Sequence, residues 1–267
     1  MKKKLLILIA SLTILSGVIV GCGSKKADEG TLKIGAALTP HSEILEYVKP
    51  ALEKEGVKLE IINVDDETQL NQSLKDGEID ANYFQHVPYL KSVADAGGFD
   101  FEVAGKIHIE PIGLYSEKIK SLSELKDGDT IGIPNNPSNE YRALALLEAN
   151  GVIKLKSGLA EYTATPKDIA ENPKNLKFVE ADAPQLPRNL KDLTAAIINT
   201  NFVLDAKIDP KSAIIKETGD SPYANIVVVR KGDEDREDIK KLIKVLTSDD
   251  VKKFIEDKYD GAVVPAF

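Results

Sequence analysis

The chain contains few of the residues on which reactive sites usually depend. Its 267 residues include one Cys, three His and no Trp. One Cys cannot form a disulfide within the chain, and an unpaired Cys in an exported protein needs another explanation. No G-x-S-x-G segment is present to suggest a nucleophilic serine. These absences argue against a hydrolytic enzyme, which stands as the alternative from another class of function.

The histidines give little support for a metal site. A metal-binding importer component would need several His or carboxylate ligands that converge, and no H-x-E-x-H spacing occurs. In HIEP (108–111), His108 and Glu110 share one face of a predicted strand. A hinge strand can hold such a pair for structural reasons alone. We therefore expect neither a metal nor another cofactor.

Basic surface is also scarce, because the formal net charge is −8 at pH 7. An acidic surface argues against nucleic acid as a partner and against a broad basic face for lipid headgroups. No internal repeat and no low-complexity tract occurs along the chain.

The first residues have the layout of a secretory signal. A lysine cluster at 2–4 precedes the uncharged run 5–20, and Cys22 follows at once. The alternative is a single membrane-spanning helix, but the run is a little short of the roughly 20 apolar residues that a crossing needs. We expect a signal peptide at 1–21 and a short tether at 22–30.

The segment that ends at Cys22 resembles the lipobox of bacterial lipoproteins. It reads Ile19-Val20-Gly21-Cys22. The resemblance implies cleavage before Cys22, a diacylglycerol on its sulfur and an acyl group on its new amine. Two or more chains anchor a protein stably where a single chain does not. The expected location is the extracytoplasmic face of the cell membrane, with the lipid as anchor.

Downstream, short apolar runs alternate with helical patterns, which favours an α/β fold. The pattern suggests two lobes, the first formed by 31–110 with 226–267 and the second by 111–225. Long predicted strands at 104–115 and 224–231 are candidates for crossings between them. A chain that crosses twice leaves a cleft between its lobes, where a ligand can bind.

The segment NNPSNEYRALALLEANG (135–151) predicts a helix that carries a polar site. Pro137 suits the first helical position, with Asn136 as the cap. Asn139 and Arg142 are three residues apart and share a face near the helix N-terminus. A bound carboxylate there would satisfy both the helix dipole and the guanidinium. The alternative is an ordinary solvated Arg.

Further amides follow predicted strands. Asn199 and Asn201 come after the apolar run AAII, and Asn225 precedes IVVVR. Alternation along a strand would place Asn199 and Asn201 on one face, at the edge of a sheet where α/β proteins bind ligands. The alternative is turn chemistry, since Asn favours loops.

The stretch ANYFQHVPYL (81–90) concentrates rings in an aromatic-poor chain, in which 6% of residues are Phe, Trp or Tyr. A change from strand to helix at Gln85-His86 would turn Phe84, His86 and Tyr89 toward one cavity. The alternative is plain core.

These segments together resemble the NlpA/MetQ family, the methionine-binding lipoproteins of ABC importers. The resemblance runs from the lipobox to the last residue and consists of many segments in the same order. They are ANYFQHVPYL (81–90), GKIHIEPIGLYSEKIKSLSEL (105–125), PSNEYRAL (137–144), ENPKNLKFVE (171–180), APQLPR (183–188), IINTN (197–201), DSPYANIVVVR (220–230) and KYDGAVVPAF (258–267).

The resemblance implies a two-lobed type II periplasmic-binding-protein fold with a ligand cleft between the lobes. It implies a protein without enzymatic activity that captures methionine, with the L isomer expected and the D isomer as a further candidate, and delivers it to a permease and its ATPase. By position, rings around the thioether fall on Phe84, His86 and Tyr89. Arg142 matches the residue that binds the ligand carboxylate. The amides around the carboxylate and ammonium match Asn139, Asn199 and Asn225, with Asn201 as a near neighbour.

One position departs from the family pattern. Family members commonly carry a Tyr where this chain has Glu67. A carboxyl group cannot stack on a thioether, but it can bond an ammonium or a hydroxyl. A methionine-containing dipeptide or another amino acid is therefore the alternative ligand. A role as a surface adhesin is a third alternative.

Overall fold

A computed structural model describes residues 31–64, 66–218 and 221–267. The predicted signal peptide, Cys22 and the tether lie outside the described residues. Within the described ranges, no helix combines the length and the apolar character that a membrane crossing requires.

The described residues form strands and helices in alternation. The strands are β1 Thr31–Ala36, β2 Lys58–Asn63, β3 Ala81–His86, β4 Phe101–Ile109, β5 Gly113–Tyr115, β6 Thr130–Pro134, β7 Lys154–Leu155, β8 Ile169–Glu171, β9 Lys177–Ala181, β10 Ala195–Ile198, β11 Ile215–Lys216, β12 Ala224–Arg230 and β13 Val264–Pro265. The helices are α1 Glu43–Lys54, α2 Leu70–Lys75, α3 Val87–Gly97, α4 Pro137–Ala149, α5 Leu186–Asn189, α6 Thr200–Asp205, α7 Glu237–Leu246 and α8 Asp249–Tyr259.

Two larger sheets divide the molecule into two lobes. The first lobe contains a six-stranded sheet in the order β13-β4-β12-β3-β1-β2, and the second contains a five-stranded sheet in the order β11-β5-β10-β6-β9. The central strands β12 and β10 are buried and mostly apolar, as expected where helices cover both faces of a sheet. The predicted α/β class with two lobes is confirmed.

The first lobe is held by amphipathic helices on its sheet. Helix α1 buries Ile44, Leu45, Val48 and Leu52 in the same apolar cluster as strand residues of β1 and β12. The sequence places Pro50 within the apolar pattern of this helix, and a Pro inside a helix is expected to kink or split it. The structure keeps one helix from Glu43 to Lys54, with Pro50 on its exposed side. Burial of the apolar stripe outweighs the hydrogen bond that Pro cannot donate.

The crossings between the lobes are shorter than predicted. Strands β4 and β12 both stay in the first sheet, where they pair antiparallel with each other. The chain therefore crosses at 110–112, between β4 and β5, and again between β11, which ends at Lys216, and β12, which begins at Ala224. The predicted segment 104–115 does contain the first crossing, because it runs from β4 in the first sheet to β5 in the second. The prediction for 224–231 is wrong, because β12 stays paired with β4 in the first sheet.

The exact lobe boundaries stay a prediction. Ala224 and Asn225 were expected in the segment 111–225, yet they pair with Ile109 and His108 in the first sheet. This pairing places the second crossing before Ala224.

Candidate functional site

A cavity of about 590 Å³ lies between the two sheets. Strand β3 and the segment before α2 contribute to it from the first lobe, and α4 and the start of α6 from the second. All the predicted ligand-binding residues line this cavity, namely Phe84, His86, Tyr89, Asn139, Arg142, Asn199, Asn201 and Asn225. Their binding of a ligand stays a prediction.

One wall of the cavity is aromatic. Strand β3 ends at His86 and α3 begins at Val87, so the chain changes from strand to helix one residue after the predicted position. The rings of Phe84 and Tyr89 meet edge to face, with centroids 5.9 Å apart. Tyr83, by contrast, is fully buried in the core of the first lobe, since neighbouring strand residues point to opposite faces. The stretch 81–90 is therefore core on one face and cavity wall on the other.

His86 connects this wall to the second lobe. Its Nδ1 accepts a hydrogen bond from the Tyr89 backbone N–H at 3.1 Å. Its Nε2 lies 3.2 Å from Asn139 Oδ1. Burial, helped by the charge of Arg142, lowers the pKa of His86 to about 3. The ring is therefore neutral at pH 7, and Nε2 carries the proton that it donates to Asn139.

Amide side chains form a chain along the second lobe. Asn136 caps α4, with its Oδ1 accepting from Asn139 N–H at 3.2 Å and from Asn139 Nδ2 at 2.9 Å. Asn199 Nδ2 donates to Asn139 Oδ1 at 3.0 Å. The cap predicted from the sequence is confirmed.

The predicted strand geometry of Asn199 and Asn201 is wrong. Strand β10 ends at Ile198, Asn199 occupies the N-cap position of α6 and Asn201 lies in the first turn of that helix. The Asn199 side chain makes no capping hydrogen bond and donates instead to Asn139. Both side chains line the cavity nonetheless.

Arg142 is a buried residue with 3% exposure, so the alternative of a solvated surface Arg is wrong. Its Nε donates to Glu217 Oε1 at 2.8 Å, and its Nη2 donates to Glu217 Oε2 at 2.6 Å and to the Glu110 carbonyl at 2.7 Å. The guanidinium lies over the ring of Tyr223, 4.2 Å from its centroid. The anion that the sequence argument placed beside this guanidinium is thus a side chain of the protein.

Glu110 lies at the centre of a buried polar cluster. Its Oε1 is 2.7 Å from His108 Nε2 and 3.4 Å from His41 Nε2, and its Oε2 accepts from the Asn201 backbone N–H at 2.8 Å. His41 Nε2 also donates to Asn225 Oδ1 at 3.0 Å. Burial raises the pKa of Glu110 and lowers the pKa values of His41 and His108 to about 4 and about 3.

This cluster has the composition of a metal site, because one ligand atom each from His41, His108 and Glu110 lies within 4.8 Å of the others. His108 Nδ1 is in turn hydrogen-bonded to the Tyr83 hydroxyl. Most of these groups are hydrogen-bonded to one another, as buried polar groups in a protein core normally are. The exception is the buried His41 Nδ1, which has no hydrogen-bond partner among the described residues.

Glu67 also faces the cavity. It begins the short turn Glu67–Gln69 before α2, and its Oε1 accepts from Asn201 Nδ2 at 3.1 Å. Burial, followed by the charges of Glu110 and Asp205, raises its pKa to about 8. None of the groups that act on its pKa is a cation.

Several residues of the site escaped the sequence analysis. His41 lines the cavity, and Glu217 pairs with the lining residue Arg142. Both lie far from the motifs in sequence, and no local pattern distinguishes them. Gln85 lies in the aromatic stretch 81–90 and lines the cavity. Its amide was not predicted as part of the site, because only the rings of that stretch were considered. The cavity is also lined by Glu110, Arg188 and Phe202.

A model of the NlpA lipoprotein family matches residues 32–267. The chain belongs to the NlpA lipoprotein family. Among its relatives is a protein of Bacillus subtilis (strain 168) named methionine-binding lipoprotein MetQ, which is 43% identical over 271 residues, or 98% of each chain. This family, like the relatives, consists of lipoproteins and substrate-binding proteins, which confirms the prediction of a binding protein rather than an enzyme.

Solved structures of similar proteins share the fold of this family member. A nutrient-binding protein from Burkholderia cenocepacia, bound to methionine, is 47% identical with a TM-score of 0.85 and covers 88% of this chain and 100% of its own. A periplasmic substrate-binding protein of an ABC transporter from Coxiella burnetii is 41% identical with a TM-score of 0.84, covering 88% of this chain and 100% of its own. The predicted two-lobed binding-protein fold is confirmed.

Proposed function

We propose that this protein is the substrate-binding lipoprotein of an ABC importer and that its ligand is methionine. The observation that carries the proposal is the cavity, which joins an aromatic wall to a row of amides and a buried guanidinium. The name of the B. subtilis relative and the methionine in the B. cenocepacia protein support the same ligand.

Each part of methionine has a matching surface in the cavity. Phe84, His86 and Tyr89 offer ring faces and edges to the thioether, at about 0.3–1.5 kcal/mol for each sulfur–aromatic contact. Burial of the side chain adds roughly 25 cal/mol per Å² of apolar surface. The carboxylate belongs near Arg142 and the Asn139 amide, which can donate hydrogen bonds to it.

The mechanism is binding and closure without bond-making. His86 and Asn139 already meet across the cleft, as do Glu67 and Asn201. A ligand that contacts both lobes favours the closed arrangement by its difference in affinity for the two states. The closed form is then what a permease with its ATPase would recognise. Lipid on Cys22 would keep the protein at the membrane, and nucleic acid is not an expected partner.

Glu67 supports a second candidate ligand. A carboxyl group in the cavity, hydrogen-bonded only to an amide among the described residues, is suited to an ammonium that lies away from the ligand carboxylate. A methionine-containing dipeptide has such an ammonium, whereas a free amino acid carries both charges on one carbon. Another amino acid with a polar side chain would also match Glu67.

Isothermal titration calorimetry with L-methionine, D-methionine and glycyl-methionine tests the proposal. We expect binding of L-methionine, and a loss of about tenfold or more in its affinity in Phe84→Ala, since the variant removes a ring contact and buried apolar area. Phe84→Ala should weaken the binding of free alanine, used as a ligand, much less. Absence of heat with L-methionine in the wild-type protein would refute methionine as the ligand.

A ring outside the cavity provides the matched control. Tyr47 is 44% exposed and stacks on Phe254, away from the cavity. Tyr47→Ala should bind L-methionine as the wild-type protein does. Tighter binding of glycyl-methionine than of L-methionine would favour the dipeptide.

A further inference from the structure

The guanidinium of Arg142 is held on three sides by the two segments that cross between the lobes. Glu110, in the first crossing, accepts a hydrogen bond from Nη2 through its carbonyl. Glu217, in the second crossing, accepts from Nε and Nη2 with both carboxylate oxygens. Tyr223, at the end of that crossing, packs its ring against the guanidinium face.

Glu217 is itself fixed in place. Its Oε2 accepts from the Ile112 backbone N–H at 3.2 Å, and its own backbone N–H donates to the Ile112 carbonyl at 3.0 Å. The two crossings are thus joined at Glu217. A carboxylate anchored through its main chain and its side chain can define the orientation of a partner more sharply than a free side chain can.

The pairing leaves one nitrogen of Arg142 to the cavity. Nε and Nη2 have their hydrogens directed at Glu217 and Glu110, and in the part of the chain that the structure describes no partner occupies Nη1. Arg142 lines the cavity. A ligand carboxylate that approaches it therefore meets the Nη1 edge and not the fork of Nε and Nη2.

We propose that Glu217 is a positioning residue of the ligand site, which orients Arg142 so that Nη1 receives the ligand carboxylate. This inference rests on the proposed function. If only charge mattered, Glu217 would weaken the binding of an anionic ligand, because its carboxylate offsets the positive charge of Arg142 that attracts the ligand. The geometry favours orientation, since a guanidinium with 3% exposure has little freedom to find the ligand unless it is already aligned.

The variant Glu217→Gln distinguishes an effect of Glu217 on the orientation of Arg142 from an effect of its charge. Gln keeps the size of Glu, but its amide N–H₂ faces the N–H groups of Arg142, so the paired geometry is lost. The measurement is the ratio of dissociation constants for methionine amide and L-methionine. These ligands differ at the carboxylate alone, so the ratio responds to Arg142 and not to general damage of the fold.

We expect Glu217→Gln to weaken L-methionine binding by about tenfold or more and methionine amide binding by less than about threefold. The dissociation constant of methionine amide divided by that of L-methionine should therefore fall. In the Arg142→Ala background, a further Glu217→Gln change should not alter the ratio, because the two residues act through one contact. Glu171→Gln, which removes an exposed carboxylate of the second lobe, is the matched control and should behave as the wild type.

Three results would overturn the role of Glu217. They are an unchanged L-methionine affinity, an equal loss for both ligands, and a rise in the ratio, which would mean that charge dominates. Wild-type protein that does not bind L-methionine would overturn the proposed function and this role with it. The two failures are distinct, because the first three results require a wild-type protein that binds.

Discussion

At the scale of single residues, neighbouring positions in this chain have opposite roles. Tyr83 is fully buried in the core of the first lobe, and Phe84 beside it lines the cavity. An anion beside Arg142 could be predicted from the sequence, because a guanidinium near a helix N-terminus needs a negative partner. Glu217, which supplies that anion, could not, because it is distant in sequence and meets Arg142 only in the folded chain.

Glu67 leads to a prediction about pH. Burial, followed by the charges of Glu110 and Asp205, raises its pKa in the folded protein from the ordinary 4.5 to about 8. Between these values the folded state holds a proton that the unfolded state has released. The contribution of Glu67 to stability is therefore present below pH 4.5 and is lost as the pH rises toward 8.

The variant Glu67→Gln cannot ionise and should remove this loss. Relative to the wild type, its free energy of unfolding should rise by about 1–2 kcal/mol between pH 5 and pH 8, less than the full pKa change implies because solvent in the cavity screens the charge. Urea unfolding at several pH values measures it. A difference that stays constant with pH, as expected for the exposed control Glu171→Gln, would contradict the burial of Glu67.

At the scale of elements, helix α4 matches its sequence prediction most closely. Cap, first-turn Pro and polar face are all local features, and they depend little on the rest of the fold. Strand β10 was extended too far in the prediction, since the chain turns into α6 at Asn199, which occupies the N-cap position of that helix. The apolar run fixed the start of β10, and only the following helix determined its end.

The role of Asn136 as the cap of α4 can be tested through the stability of the protein. Asn136→Ala should lower the free energy of unfolding by about 1 kcal/mol, since it removes the acceptor of the Asn139 N–H. It should also weaken L-methionine binding, because the Asn139 side chain loses the same partner. Asn136→Asp keeps an acceptor and should retain most of both properties. Equal stability of the Ala variant and the wild type in urea unfolding would contradict the capping role.

At the scale of the whole molecule, two sheets with separate cores are joined by two short crossings. Contacts such as His86 with Asn139 span the cleft directly, so the lobes meet where the ligand is proposed to bind. Closure of lobes around a ligand is a movement that hinges of a few residues can absorb.

Closure should be visible in solution. Small-angle X-ray scattering of protein freed of ligand should show a smaller radius of gyration when L-methionine is added at saturation, because a ligand that bridges the lobes favours the closed state. Glycine at the same concentration, which lacks the thioether side chain, serves as the control and should leave the radius unchanged. An unchanged radius with L-methionine would argue that the lobes are already closed without ligand.

The sequence by itself determined the local features of this protein. Alternating apolar runs established the α/β class, caps and Pro positions placed α4, and the order of many short segments identified the family. Each of these depends on residues close together in the chain, where hydrophobic period and capping chemistry act. The tertiary structure alone decided that Glu217 pairs with Arg142, that His41 joins His108 and Glu110, and where the chain crosses between lobes. Those contacts join residues far apart in the sequence, and their energies depend on burial and charge that exist only after the two lobes have folded.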